Sequence, residues 1–560
     1  MVEKITVAEA LLEQLKQADA DTIFGIISIH NIPIFDALQR KGGFRLISAR
    51  HEGAAVNMAD AYARISGKLG VALTSTGTGA GNAAGALIEA WNGGAPLLHI
   101  TGQVASHVVD TGRGYIHDCK GQFGMLESIS KKAYRVRRAE QAPSIFRHAI
   151  EDAIRPPSGP VSVEIPIDFQ AALIHVPSIA PAVSTRATPS DAEIERAADK
   201  ILQAKRAILW VGGGAMMSNA APEVRRLMEL LDAAVITSQS ARGIVPESDP
   251  RVIGHFATYP KLKQWIATGD LLISIGVRFR GNETSNWSIT TPTEHIGIDA
   301  DPSAINRNFP HSLGLVGDAK ATLAALIERL QRQRTTSKNE ASEQPFYNEV
   351  AKLRASLRQD LRDTLGPWED VLDAIRETMP SDAVLVRDVT VPATVWGARL
   401  IERQFPRSTL HASAGGIGQG LPMAIGAQIA QPEKPVVLLA GDGGFLLNIG
   451  EMAVARHENT PIVVVLFDDN GYGVLRNIQN ANFEGRTIGV DMKSPDFVAL
   501  ARAFGFESRR VQSSADFRST LAQAVESRRP WMIVIDCDAI GPMKKIFAGP
   551  DGGAHLYKPH

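Results

Sequence analysis

Short apolar runs alternate with amphipathic stretches along the whole chain, the pattern of strands and helices taking turns in stacked α/β domains. Val436-Val437-Leu438-Leu439-Ala440 and Ile462-Val463-Val464-Val465-Leu466-Phe467 read as buried strands. The stretch from roughly Asn448 to Glu458 between them reads as a helix, so the three pieces predict one β-α-β crossover with parallel strands. Near the amino end, Ala55, Met58, Ala59 and Tyr62 form a helical apolar stripe with Glu52 in its first turn. Gly70-Val71-Ala72-Leu73 then reads as a strand that runs into a glycine-rich turn, Thr76 to Asn82.

The same pattern divides the chain. A first block, residues 1–175, ends near Val161-Ser162-Val163-Glu164-Ile165-Pro166 and is followed by a Pro- and Ala-rich stretch, Val176 to Pro189. A second, residues 190–334, opens with a helix over Asp191 to Gln203 and a strand Ala207-Ile208-Leu209-Trp210-Val211. It closes with Ile296 to Asp301 and a helix ending near Arg334. The polar run Thr335 to Glu343 is a linker by composition. The third block covers residues 346–545 and leaves a Gly-rich tail, 546–560, that either folds over a site or frays. Each block is expected to hold a parallel sheet flanked by helices.

Bulk properties narrow the function. At 560 residues the chain exceeds one core and suggests about three domains. A net charge of −1 with both signs interspersed gives no electrostatic case for nucleic acid or an anionic membrane. Two cysteines, Cys119 and Cys537, make no disulfide framework and fit a reducing cytosol. The chain lacks an apolar run long enough to span a bilayer, and Met1 to Thr6 do not resemble a secretory leader. A cytoplasmic protein is expected.

The turns carry the chemistry. Gly441-Asp442-Gly443-Gly444 follows one strand of the crossover, and Asp469-Asn470-Gly471-Tyr472 follows the other. Parallel neighbours lie about 4.8 Å apart, so their carboxyl ends can bring Asp442 and Asp469 to one hard cation. Gly441, Gly443 and Gly444 let backbone N–H groups approach a phosphate. An Asp-Gly pair after a strand also closes an ordinary turn, and a Glu at a helix start also serves as a capping charge. Gly212-Gly213-Gly214 could cradle a dinucleotide or be a structural turn.

Together these segments resemble the fingerprints of thiamine diphosphate enzymes, of the acetolactate synthase, benzoylformate decarboxylase and benzaldehyde lyase group. Asp442 with Asp469 is similar to the family's diphosphate–Mg²⁺ motif, although its usual Asn pair is replaced by Asp468 and Asp469. Arg50-His51-Glu52 and its helix match the activating-glutamate motif. Ser75 to Asn82 resembles the pyrimidine-side loop, departing at Thr76, Thr78 and Gly81. Gly415-Gly416-Ile417-Gly418 resembles the segment that wedges beneath the cofactor.

The resemblance implies a pyrimidine-binding, a central Rossmann-like and a diphosphate-binding domain, in that order, and a homodimer or homotetramer with sites shared between chains. It implies Mg²⁺ held by Asp442, Asp469 and the Gly471 carbonyl, and thiamine diphosphate held by Glu52, Thr76, Asn82, Thr390, Gly415, Ile417, Gly441, Asp442, Gly443, Gly444, Asp469, Gly471 and Tyr472. Glu52 would share a proton with the pyrimidine N1′, the Gly415 carbonyl would receive the 4′-amino group, and Ile417 would hold the rings in a V. His30 and Gln122 fall where the group points catalytic side chains at the reacting carbon. The implied activity is a carboligase or lyase acting on 2-oxo acids or 2-hydroxy ketones, through C2 ylid addition to a carbonyl and an enamine. A non-ligating decarboxylase that releases an aldehyde is one alternative; a pyruvate oxidase-like enzyme with FAD in the middle domain is another. His117, alone beside Asp118, argues against simple acetaldehyde production.

Overall fold

The computed structural model describes residues 4–175, 180–336 and 345–549. Most of the expected polar linker, part of the Pro- and Ala-rich stretch and nearly all of the Gly-rich tail lie outside the described residues. Three six-stranded parallel sheets flanked by helices account for the alternating pattern. Val436 to Ala440 are fully buried along their length, as expected of strands covered by helices on both faces.

The chain packs as two compact units that do not follow chain order. One comprises Met1–Thr185, Ala412–Val436 and Phe445–Ile462; the other comprises Arg186–His411, Val437–Gly444 and Val463–His560. In the first, the strands lie in the order Arg45–Ser48, Thr22–Gly25, Gly70–Thr74, Leu97–Gln103, Pro160–Pro166, Lys132–Arg135. Lys4–Thr6 pairs antiparallel with Leu173–His175 beside this sheet.

The second unit holds two sheets. One runs Val252–Gly254, Ala234–Thr237, Ala207–Val211, Leu271–Ile275, His295–Asp299, Leu313–Val316, the order of a dinucleotide-binding fold. The other runs Thr409–His411, Val384–Arg387, Val436–Gly441, Ile462–Asp468, Trp531–Asp536, Glu507–Val511. Numbered along the chain, this sheet and that of the first unit share one order: second, first, third, fourth, sixth, fifth. The likeness is topological and leaves no visible repeat in the sequence.

That order fixes where side chains can converge. Where successive strands lie on opposite sides of the first one, their outgoing loops diverge and open a crevice at the carboxyl edge. In the first unit the crevice lies after Thr22–Gly25 and Gly70–Thr74; in the carboxyl-terminal sheet it lies after Val384–Arg387 and Val436–Gly441. The helix between the crossover strands departs from expectation. A short helix, Asp442–Phe445, starts directly at the strand end; a tighter turn, Leu446–Glu451, follows, and the regular helix is Met452–His457. Asn448 leaves helical geometry at φ −125° and ψ 27°, its side-chain amide donating to the Gly418 carbonyl at 2.6 Å. A short polar side chain that bonds backbone elsewhere competes with the helix.

Candidate active site

In the first unit, Glu52 opens the helix Glu52–Ser66. Capping is done by its neighbour: the His51 ring accepts the Gly53 N–H at 3.1 Å, so the Glu52 carboxylate is free for other partners. It accepts from the Asn82 amide at 3.0 Å. A Cβ on Gly79 would stand 2.8 Å from Ser75 Cβ and 2.9 Å from Glu52 Oε1, so glycine leaves room here for both. Gly53, Ala54, Ala55 and Val56 are buried, while Glu52 keeps partial exposure. The backbone N–H of Arg50 is held by Glu451 at 3.1 Å, and burial pushes that carboxyl up to about 7.

The loops at this crevice are tied to each other. The buried Asn31 amide donates to the carbonyls of Ile26 at 3.0 Å and Thr74 at 3.2 Å. His30 is 3% exposed; its Nε2 lies 3.2 Å from the Ile116 carbonyl and its ring meets His117 edge-on at 5.2 Å. Burial lowers its pKa, and the neighbouring His117 adds to the effect. Gln122 has its amide fully committed: Oε1 accepts from the Gly77 N–H at 2.7 Å and the Thr76 hydroxyl at 2.8 Å, and Nε2 donates to Glu164 at 3.0 Å. Gln122 therefore clamps the glycine-rich turn. Gly415 sits at φ +90°, a conformation that favours glycine, and Ile417 is 38% exposed on the same loop.

In the second unit, Asp442 is fully buried at the end of its strand. Its Oδ2 accepts from the Gly471 N–H at 3.0 Å and the Ser494 hydroxyl at 2.7 Å, while Oδ1 has no hydrogen-bond partner. Asp469 reaches the same spot: burial first, then the charge of Asp442 hydrogen-bonded to it, raise its carboxyl to about 7. Two carboxylates in contact cannot both ionise cheaply without a cation or a proton between them. A Cβ at Gly443 would come within 2.9 Å of the Tyr472 ring and of Met492, and one at Gly441 within 3.2 Å of Thr390. Gly444 is buried in the short helix. Thr390 thus flanks the turn from the loop after the neighbouring strand Val384–Arg387.

Models of three thiamine pyrophosphate enzyme domains match the chain: the N-terminal binding domain over residues 5–125, the central domain over 194–326 and the C-terminal binding domain over 392–535. A probable acetolactate synthase large subunit from Methanococcus aeolicus is 30% identical over 97% of this chain and 94% of its own length. The chain belongs to the thiamine pyrophosphate enzymes. It is 33% identical to a probable 2-ketoarginine decarboxylase from Pseudomonas aeruginosa over 91% of this chain and 90% of that one. An acetolactate synthase isozyme 3 large subunit from Escherichia coli is 28% identical over 99% and 96%. Within the family the chain stands in the acetolactate synthase group, and it is a thiamine diphosphate-dependent enzyme that makes or breaks carbon–carbon bonds.

The donors around Asp442 are hard oxygens with one buried acceptor atom to spare, which suits a Mg²⁺–diphosphate pair. Among the described residues no cluster of three or more His, Cys, Asp or Glu side chains forms, so a cation here would rest on two carboxylates plus backbone and cofactor oxygens. The Asn-to-Asp departure splits by position. Asp468 is drawn away to Arg510 at 2.6 Å, and Asp469 alone joins Asp442. Arg476 spans the turn, donating to the carbonyls of Asp469 and Asn470 at 3.0 Å each.

Ser494, Arg510, Glu451 and Glu164 carry no motif, and each reaches its partner from a distant segment of its own unit, whereas Arg476 comes from the helix that directly follows the turn it spans. At the central sheet's crevice, Cβ atoms on Gly212 and Gly214 would run into the Gly276 backbone, which accounts for both glycines by close packing.

Proposed function

We propose that the enzyme is a carboligase of acetolactate type, which transfers the acyl unit of a 2-oxo acid to a second carbonyl compound. The choice of ligation rests on the full-length likeness to acetolactate synthase large subunits, and the cofactor it needs is supported by the contact of Asp442 with Asp469 beside the buried, unpartnered Asp442 Oδ1, at the carboxyl edge of a sheet with this topology. Mg²⁺ held by Asp442, Asp469 and the Gly471 carbonyl would anchor the diphosphate, with Gly441, Gly443, Gly444, Thr390 and Tyr472 around it. Thiamine diphosphate, when bound, supplies a nucleophilic carbon and an electron sink for the bond that breaks. Glu52, with Asn82 on its carboxylate, would hold and exchange a proton at the pyrimidine nitrogen, Thr76 would line the pyrimidine side, the Gly415 carbonyl would receive the exocyclic amine, and Ile417 would support the rings. His30 and Gln122 act after the carbonyl has been engaged, His30 as the proton carrier and Gln122 through the turn it clamps.

We assign the pyrimidine role to residues 1–175, the Rossmann-like role to 190–334 and the diphosphate role to 346–545, in a cytoplasmic homodimer or homotetramer. Glu52 of one chain would face a cofactor anchored by Asp442 of its partner. Mixing inactive Glu52→Gln with inactive Asp442→Ala subunits should then restore activity in mixed assemblies; an active monomer in sedimentation would overturn the sharing.

A decarboxylase that releases an aldehyde is favoured by one contact, the edge-on meeting of the His30 and His117 rings, with His117 Nδ1 buried and unpartnered. Two imidazoles side by side can deliver a proton where a carboligase would admit a second carbonyl. Product analysis with pyruvate alone, and then with an added aldehyde, decides between the two: a 2-hydroxy ketone or acetolactate marks ligation, free aldehyde alone marks decarboxylation. Flavin absorbance of the purified protein tests the oxidase alternative.

A further inference from the structure

Glu89 stands near the end of the helix Thr78–Gly93, which begins within the pyrimidine-side loop, but belongs to no cofactor motif itself, and is 2% exposed. Its carboxylate accepts two backbone N–H groups of one loop, Ala414 at 2.6 Å and Gly416 at 2.7 Å. All of these residues belong to the first unit. A buried carboxylate with two N–H donors is well solvated by the backbone and holds both peptides in place. Beside it, Asp60 is paired with Arg64 at 2.5 Å, and Arg64 also reaches the Ser413 hydroxyl at 3.4 Å. The loop is therefore gripped from the Glu89 side at Ser413, Ala414 and Gly416.

The grip has a stereochemical consequence. The N–H of Gly416 and the C=O of Gly415 belong to one peptide unit, and in a trans peptide they point in opposite directions. Drawing that N–H onto Glu89 turns the Gly415 carbonyl away from Glu89. Gly415 itself stands at φ +90° and the space where its Cβ would stand is open, so conformation rather than crowding demands glycine there. At Gly416 crowding decides, because a Cβ would run first into the Gln419 side chain and then stand 2.8 Å from Glu89 Oε1.

We propose that Glu89 is a positioning residue for thiamine diphosphate, aiming the Gly415 carbonyl at the pyrimidine 4′-amino group through the peptide it shares with Gly416. The inference rests on the cofactor reading above. It makes Glu89 specific to one atom pair of the cofactor, which a merely structural anchor would not be.

The test is a binding cycle by calorimetry in the presence of Mg²⁺, with thiamine diphosphate and its 4′-deamino analogue, on wild type and Glu89→Gln. The amide is isosteric but has one acceptor oxygen for two N–H groups. Glu89→Gln should weaken thiamine diphosphate about tenfold, the scale of one hydrogen bond to an oriented carbonyl, and leave the analogue's affinity as in wild type. Hydrogen–deuterium exchange at C2 of the bound cofactor should slow in the same variant. Equal weakening of both ligands makes Glu89 a loop anchor only and overturns the proposal, as does unchanged affinity with unchanged exchange. A wild type that binds neither ligand removes the cofactor reading and the proposal with it. Should Glu89→Gln fail to fold, Glu89→Asp, which keeps the charge and shortens the reach by one methylene, runs through the same cycle.

Discussion

The Glu52 region and the Asp442 region solve opposite problems. Around Glu52 the key groups are held by protein partners: Asn82 on the carboxylate, Gln122 on the Gly77 turn, Glu451 on the backbone just before the helix. Around Asp442 the carboxylates crowd each other. Asp442 and Asp468 each keep a buried oxygen without a partner, and Asp469 is driven up to about 7. The first region is organised to present one proton-sharing group in a fixed direction. The second stores electrostatic repulsion that a cation would relieve, and that cation would in turn hold a diphosphate. A proton-transfer site gains from preorganisation, and an anchoring site gains from being incomplete until its ligand arrives.

Substitutions on the two sides should separate cleanly. The largest effect is expected from Glu52→Gln, which should cut turnover by roughly 10²–10⁴-fold, the range of a lost general acid–base group, with cofactor affinity retained in calorimetry. If more than about a tenth of activity survives, Glu52 does not share the proton. On the other side, Asp442→Ala should lose Mg²⁺ and thiamine diphosphate together. Asp469→Asn removes the repulsion and keeps an oxygen ligand, so it should bind at least as well as wild type, whereas Asp469→Ala should bind worse. Retention of the cofactor by Asp469→Ala but not by Asp469→Asn would sink the ligand assignment.

His30→Ala and Gln122→Ala probe the first region more finely. As a proton carrier after carbonyl engagement, His30 should leave C2 exchange near the wild-type rate while turnover or the product ratio changes. Gln122 holds the Gly77 N–H and the Thr76 hydroxyl. Its loss should therefore also lower thermal stability, and exchange falling in step with turnover would move Gln122 from the reaction to the scaffold.

The smallest effect concerns Glu451, whose carboxyl is raised from 4.5 to about 7 by burial. A carboxyl raised on folding keeps its proton longer in the folded state, so its contribution to stability falls as pH rises from about 4.5 to 7 and is constant above. The swing is about 3 kcal/mol at most. Wild type should thus lose stability relative to Glu451→Gln across that window in thermal unfolding of the cofactor-free protein; parallel profiles would count against a protonated, buried Glu451.

Periodicity alone located the strands Val436–Gly441 and Ile462–Asp468, the helix Asp191–Gln203 and the helix beginning at Glu52, because a buried parallel strand must be apolar throughout and a half-buried helix must carry a stripe. It failed between the crossover strands, where the Asn448 side chain breaks the helix by bonding to Gly418, a partner no local window contains. The turn glycines and acids were legible for the same local reason, since a turn after a strand has to lie at the sheet's carboxyl edge. Strand order was not legible, and with it went the crevice at each sheet. Nor was the grouping of residues 412–436 with the amino-terminal sheet, which brings Glu89 to Gly416. Ser494 on Asp442 and Arg510 on Asp468 belong to the same class. Local sequence determines which residues can form an element because propensity and burial act within a few turns of chain. Only the tertiary structure decides which carboxylate finds a donor and which is left to a ligand, because hydrogen bonds and charge repulsion act through space between segments that the chain order keeps far apart.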